Sequence, residues 1–144
     1  MTEVVQVLLA DDEKDFVETL AARLEVRGMK VQTAFSGDEA LLRIKENGID
    51  VVILDVLMPG RDGIQTLKEI KEINPLLQVL MLTGHGTIQT GIEGMKLGAY
   101  DFLIKPTDTL DLVEKIEGAY RLKSGHEERI RQAEIKSILK RKGW

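Results

Sequence analysis

Residues 51–55 (VVILD) constrain the fold of this chain more than any other stretch. Four branched apolar residues in a row predict a strand that is buried on both faces, as in a parallel sheet. The run ends on Asp55, and Pro59, Gly60 and Gly63 force a loop directly after it. Open α/β sheets bind their ligands at the carboxyl ends of such strands. Taken alone, Asp55 is more simply interpreted as a residue that ends the strand and begins a turn.

Strands and helices are predicted to alternate along the rest of the chain. Apolar runs predict further strands over 4–10, 30–35, 78–83 and 100–104. Helical spacing of apolar residues predicts helices over about 15–27, 36–48, 62–73, 87–97 and 108–120, with Ser36, Asp62 and either Thr107 or Asp108 as caps. Five strands and five helices joined by short loops imply an α/β fold, in which helices cover both faces of a parallel sheet.

The chain is predicted to form one domain with a tail. Residues 1–123 are the size of one ordinary domain, and Ser124-Gly125 is the predicted break after it. Residues 124–144 predict a basic, helical tail that is too short to be a separate domain. The default interpretation is a solvated extension of the last helix, and the alternative is a segment that packs on a partner or a second copy. From residue 121 onward, eight Lys or Arg and three Glu give +5, so the total of −4 leaves −9 for residues 1–120.

Composition excludes several classes of function. The chain has no cysteine, which excludes disulfides and thiolate metal sites. No apolar run approaches the ~20 residues of a membrane span, and the acidic start does not resemble a signal peptide, so we expect a cytoplasmic protein without a membrane partner. An acidic body is not expected to bind nucleic acid directly, because nucleic-acid-binding domains usually carry a basic face.

Polar side chains from four strands are predicted to meet at the carboxyl edge of the sheet. That edge receives Asp11 and Asp12 from the first strand, Asp55 from the third, Thr83 from the fourth and Lys105 from the fifth. Each one alone has an ordinary explanation as a cap, a turn residue or a solvated charge. Their convergence on one edge favours a functional site.

The chemistry of these side chains points to phosphoryl transfer. Three crowded carboxylates repel one another, and Mg²⁺ suits them because it takes oxygen ligands. A carboxylate can also attack phosphorus and form an aspartyl phosphate. The Lys105 ammonium and the Thr83 hydroxyl could then stabilise the oxygens of the transferred group.

Over about residues 4–121 the sequence resembles the receiver domain of two-component response regulators. The resemblance is carried by Asp11-Asp12, by residues 53–63 (ILDVLMPGRDG), by Thr83 at its strand end, and by residues 100–106 (YDFLIKP). It implies a flavodoxin-like, doubly wound, five-stranded sheet of order 2-1-3-4-5. It also implies a phosphorylation-dependent signalling switch that catalyses only its own phosphorylation and dephosphorylation.

The resemblance assigns the phosphoacceptor and the metal ligands. Asp55 would accept a phosphoryl group from a sensor histidine kinase or a histidine phosphotransfer protein. Asp11, Asp12, Asp55 and the backbone carbonyl of Leu57 would bind Mg²⁺.

The resemblance also assigns the residues around the phosphoryl group. Lys105 would pair with its oxygens, and the backbone of Gly84 would contact it. Thr83 and Phe102 would form the switch, with Phe102 standing where the family often has Tyr. The peptide bond before Pro106 is expected to be cis.

Two other functions remain open from the sequence. One is a phosphatase of the haloacid-dehalogenase type, although Leu57 occupies the place of the general acid in those enzymes. The other is a degenerate receiver that binds partners without phosphorylation. The leading interpretation is a stand-alone or relay receiver with an unknown downstream protein, and it allows a homodimer that forms on phosphorylation. The sequence does not identify the kinase, the pathway or the lifetime of the phosphoryl group.

Overall fold

The computed structural model describes residues 4–46, 48–60 and 62–143. Arg61, in the predicted loop, and Trp144, at the end of the predicted tail, lie outside the described residues. The strands are β1 (Gln6–Ala10), β2 (Lys30–Ala34), β3 (Val51–Asp55), β4 (Gln78–Thr83) and β5 (Asp101–Ile104). The α-helices are α1 (Lys14–Val26), α2 (Gly37–Lys45), α3 (Gly63–Ile73), α4 (Ile88–Lys96) and α5 (Thr109–Arg141), and a short 3₁₀ turn, His85–Thr87, precedes α4.

The five strands form one parallel sheet of order β2-β1-β3-β4-β5, which confirms the predicted fold. The register pairs Ala10 of β1 with Leu54 of β3. The next residues along these strands, Asp11 and Asp55, therefore emerge side by side at the carboxyl edge. On the side of β3 away from β1, Thr83 of β4 pairs with Ile104 of β5. Lys105, the residue after β5, therefore lies beside the end of β4.

The core has two halves because side chains alternate between the faces of each strand. On one face, β3 residues Val51 and Ile53 pack with buried side chains of α1 and α5. On the other face, Val52 and Leu54 pack with those of α2 and α3. All four of these β3 side chains are fully buried, as the apolar run predicts. The strand that ends in Asp55 is thus fixed from both sides.

Polar caps begin three of the helices where the sequence predicts them. Ser36 Oγ accepts from the Glu39 N–H at the start of α2, and Asp62 Oδ1 accepts from the Gln65 N–H at the start of α3. Of the two candidates for α5, Asp108 is the cap, since its Oδ1 accepts from the Leu110 N–H. Each of these helices follows the end of a parallel strand, so its start lies at the same edge of the sheet as Asp55.

Helix α5 runs without interruption through Ser124-Gly125, so the tail continues the last helix, as its default interpretation predicts. An ion pair between Lys123 and Glu127, one turn apart, spans the two residues and supports the helix. From residue 128 to 143 the chain is exposed. The division into a domain over 1–123 and a tail over 124–144 stays a prediction. No helix of the described ranges is both long enough and apolar enough to cross a membrane.

Candidate functional site at the carboxyl edge of the sheet

Three carboxylates meet where β1 and β3 end. Asp11, Asp12 and Asp55 each offer an oxygen, and these oxygens lie within 4.8 Å of one another. Asp11 is fully buried, Asp55 is 6% exposed and Asp12 is exposed. The predicted convergence of the three acids is present, with Asp12 at the mouth of the site and the other two beneath it.

The carboxyl group of Asp55 is destabilised in its charged form. Burial raises its pKa from 3.8 to about 6, and the Asp11 charge adds to this effect. The Lys105 ammonium and a hydrogen bond from the Leu57 N–H, at 3.4 Å to Oδ1, act in the opposite direction. With a pKa near 6, Asp55 is mainly ionised at pH 7, and its charge lies in a site that already holds other negative groups.

Lys105 is the cation of the site. Its Nζ lies 2.6 Å from Asp11 Oδ2, 3.0 Å from Glu13 Oε1 and 3.7 Å from Asp55 Oδ2. It also lies 4.6 Å from the centre of the Phe16 ring, a cation–π distance. Burial lowers the pKa of Lys105, but the contacts with Asp11 and Glu13 outweigh it, and the pKa lies above its usual value.

The contacts of Glu13 and Phe16 with Lys105 were not predicted from the sequence. Both residues belong to the start of α1, and Lys105 follows them by about ninety positions. The only signal in the sequence is that Glu13 directly follows the acidic pair. Local spacing could not show that its side chain reaches the lysine.

The predicted switch residues both lie next to Gly91 of α4, with Thr83 at the end of β4 and Phe102 near the start of β5. Thr83 is fully buried, and its Oγ1 donates to the Leu103 carbonyl at 3.4 Å. Phe102 is half-buried and packs against the core. A Cβ on Gly91 of α4 would lie 2.9 Å from Thr83 Cγ2 and 3.1 Å from the Phe102 ring. Glycine at this position therefore lets α4 rest directly on both side chains.

Three other predicted features have mixed outcomes. The Lys105-Pro106 peptide bond is cis, as predicted. The N–H of Gly84 donates to Thr87 Oγ1 at 2.9 Å, and its contact with a phosphoryl group stays a prediction. Leu57 lies two residues beyond Asp55, and the role of its carbonyl as a metal ligand stays a prediction.

The site suits a hard divalent cation. Asp11 Oδ2 is buried and makes no hydrogen bond. Its 2.6 Å approach to Lys105 Nζ is an ion pair, and the oxygen accepts no well-directed hydrogen. Among the described residues, four acids, counting Glu13, lie around one lysine. Mg²⁺ prefers such oxygen ligands, and Asp11, Asp12 and Asp55 would hold it.

The model of the response regulator receiver domain family matches residues 7–117. This chain belongs to that family. Its solved neighbours include a receiver domain protein from Clostridium thermocellum, with a TM-score of 0.81, 40% identity, and coverage of 84% of this chain and 98% of that one. The NtrX receiver domain of Brucella abortus has a TM-score of 0.76 and 38% identity, covering 80% of this chain and 98% of that one.

Curated relatives of this receiver domain are longer proteins. The transcriptional regulatory protein ZraR of Salmonella typhimurium is 41% identical over 115 residues, which are 80% of this chain and 26% of ZraR. The CpxR homolog of Haemophilus influenzae is 38% identical over 133 residues, which are 92% of this chain and 58% of that protein. The chain thus spans about a quarter of the length of its ZraR relatives. The predicted family and fold are confirmed.

Proposed function

We propose that this receiver domain is a phosphorylation-controlled signalling switch whose phosphoacceptor is Asp55. The observation that carries the proposal is the position of this carboxylate. It ends the central strand, is nearly buried, and lies within 4.8 Å of two other acids and 3.7 Å from Lys105 Nζ. A carboxyl group whose pKa is raised by burial and by a neighbouring acid, in a cluster of this kind, is a candidate for a functional role.

The transfer that we propose is a direct displacement at phosphorus. A carboxylate oxygen of Asp55 forms a bond to phosphorus as the phosphorus–nitrogen bond of a phosphohistidine breaks, and the imidazole nitrogen keeps the electron pair. Asp55 needs no general base, since a pKa of about 6 leaves it ionised at pH 7. A bound Mg²⁺ would supply positive charge to the phosphoryl oxygens.

Lys105 and the switch residues complete the proposed mechanism. Lys105 Nζ would move from its present partners to a phosphoryl oxygen, and the Thr83 hydroxyl would leave the Leu103 carbonyl to do the same. Because Gly91 rests on Thr83 and Phe102, a shift of these side chains would be transmitted to α4. The altered surface would bind the downstream partner.

The partners follow from the same proposal. The phosphoryl donor would be a sensor histidine kinase or a histidine phosphotransfer protein. The downstream partner would be a protein of unknown identity, and the proposal allows a homodimer that forms on phosphorylation. A cytoplasmic location and the restriction of catalysis to the domain's own phosphorylation and dephosphorylation stay predictions.

Intact-mass measurement with a small phosphodonor tests the proposal. Protein incubated with Mg²⁺ and acetyl phosphate is expected to gain the mass of one phosphoryl group, and EDTA is expected to prevent the gain. Asp55→Asn should abolish it, because an amide is not nucleophilic enough to attack phosphorus. Asp15→Asn is the matched control, since Asp15 is an exposed acid of α1 outside the site.

The same experiment distinguishes the alternatives. Rapid release of phosphate from unrelated phosphate esters would favour a phosphatase, although Leu57 offers no acid at the position that such an enzyme needs. A wild-type protein that gains no phosphoryl group would favour a binding module that does not depend on phosphorylation, and would contradict the proposal.

A further inference from the structure

Two acids other than the proposed phosphoacceptor hold Lys105. Its Nζ is 0.7 Å closer to Glu13 Oε1 than to Asp55 Oδ2, at 3.0 Å and 3.7 Å, and closer still to Asp11. The distance to Asp55 exceeds that of a hydrogen bond, whereas the distance to Glu13 does not. Lys105 therefore has to give up existing contacts before it can serve a phosphoryl group on Asp55.

The backbone fixes the position of Glu13. Its N–H donates to Asp11 Oδ1 at 2.9 Å, and its carbonyl accepts from the Val17 N–H at 3.0 Å in the first turn of α1. Phe16, also at the start of α1, places its ring 4.6 Å from the same ammonium. The start of α1 thus provides two contacts that hold Lys105, while Asp55 belongs to β3.

Glu13 differs from Asp11 in its relation to the proposed metal site. Asp11 belongs to the cluster of three oxygens that fits Mg²⁺, so a cation bound there would weaken the attraction of Asp11 for Lys105. Glu13 is not a member of that cluster, and its side chain is 65% exposed at the rim. With the metal site filled, Glu13 is the acid that still competes for the ammonium.

We propose that Glu13 is a positioning residue that holds Lys105 away from Asp55 and thereby slows phosphorylation. This inference rests on the proposed function. Phosphorylation transfers Lys105 Nζ from Glu13 Oε1 to a phosphoryl oxygen, and the Glu13 side chain turns to solvent. The strength of the Glu13–Lys105 pair sets how readily this exchange occurs.

The rate of labelling by acetyl phosphate at saturating Mg²⁺ tests the inference. Glu13→Gln is expected to accelerate labelling about fivefold, the effect that an ion pair with one exposed partner can have on a rate. Glu13→Asp is expected to accelerate it as well, because the shorter side chain keeps the charge but does not reach Nζ. Saturating Mg²⁺ excludes an effect that acts through metal affinity.

Asp15→Asn is the control for charge alone. This substitution removes one negative charge near the start of α1 and leaves the contacts of Lys105 unchanged. It should change the labelling rate by less than about twofold, because solvent and salt screen an exposed charge. Equal acceleration by Asp15→Asn, or a Glu13→Asp variant that labels at the wild-type rate, would show a field effect and overturn the inference. If wild-type protein is labelled and both Glu13 variants are labelled at the same rate, the inference is overturned and the proposed function stands. Unlabelled wild-type protein would overturn both.

Discussion

Strand β3 has an aspartate near each end, and each faces a lysine. Asp50 precedes the strand, and its Oδ1 lies 3.2 Å from Lys123 Nζ at the amino edge of the sheet. Asp55 ends the strand, and its Oδ2 lies 3.7 Å from Lys105 Nζ at the carboxyl edge. The two acids lie at opposite ends of β3 and have the same type of partner, yet their surroundings differ.

At the amino edge, the carboxylate of Asp50 has a hydrogen-bond donor for each of its oxygens, and the contact is structural. Asp50 Oδ2 accepts from the Gln6 N–H at 2.8 Å, so both oxygens of this carboxylate have donors. Lys123 has one further acid partner, Glu127 at 3.0 Å, and is almost buried. One lysine with two acids ties α5 to β1 and to the start of β3.

The carboxyl edge holds a surplus of negative charge. There, Lys105 faces Asp11, Glu13 and Asp55, and Asp12 lies beside them. A buried ion pair is therefore not in itself a sign of function, since both edges have one. The functional sign is that, among the described residues, acids outnumber the donors at this edge, which leaves a place for a cation. Burial, and after it the Asp11 charge, also raise the pKa of Asp55.

Removing the lysine of the amino edge should have the largest effect on stability. Lys123→Met leaves Asp50 poorly solvated beside an apolar side chain, and we expect the free energy of unfolding to fall by about 3 kcal/mol. Urea unfolding at pH 7 measures this change. Phosphoryl labelling of the folded variant should remain, and a loss below about 1 kcal/mol would show that the amino edge is not a structural contact.

The pH dependence of stability should reveal the strain at the carboxyl edge. The folded-state pKa of Asp55, about 6, is above its unfolded value of 3.8, so the folded state binds more protons between these values. Its contribution to stability is fully present below the unfolded pKa and is lost as pH rises through 6. Without metal, wild type should lose about 2 kcal/mol relative to Asp55→Asn between pH 4 and 7.

Urea unfolding of both proteins across that range, in EDTA, measures the difference. Asp55→Asn serves as the reference because it keeps the shape of the side chain and removes its titration, while the other acids titrate in both proteins. A constant difference in stability from pH 4 to 7 would show that Asp55 has an ordinary pKa.

Mg²⁺ should stabilise the folded protein through the acids of the carboxyl edge and not through the amino edge. A ligand at ten times its dissociation constant stabilises the folded state by about 1.4 kcal/mol, and we expect this rise in wild type and in Lys123→Met. Asp55→Asn should lose most of it, because one of the three ligand oxygens has lost its charge. Thermal unfolding with Mg²⁺ or with EDTA measures the rise, and an undiminished response in Asp55→Asn would remove that residue from the metal site.

Much of the fold could be predicted because its signals are local. The apolar run before Asp55 and the alternation of strands and helices indicated a parallel sheet, and the order 2-1-3-4-5 came with the family resemblance. The acids at the strand ends were predicted to converge because parallel strands end at one edge. Register then places Asp11 beside Asp55.

The features that escaped prediction depend on contacts between distant residues. Ser124-Gly125 indicates a break before the tail, whereas the helical composition of the tail indicates an extension of the last helix. Helix α5 continues through this point, and Lys123 just before it contacts Asp50, 73 positions earlier, which no local pattern predicts. Glu13 reaches Lys105 across 92 positions, which no local spacing reveals.

Locating the phosphoryl group tests the central claim most directly. Borohydride reduces an acyl phosphate, but not a free carboxylate, to an alcohol, so a phosphorylated aspartate becomes homoserine. Wild-type protein labelled with acetyl phosphate and Mg²⁺, reduced and analysed by peptide mass spectrometry should contain homoserine at position 55 and at no other aspartate. Homoserine at position 11, 12 or 50, or none at all in protein that has gained a phosphoryl group, would contradict the assignment of Asp55 as the phosphoacceptor.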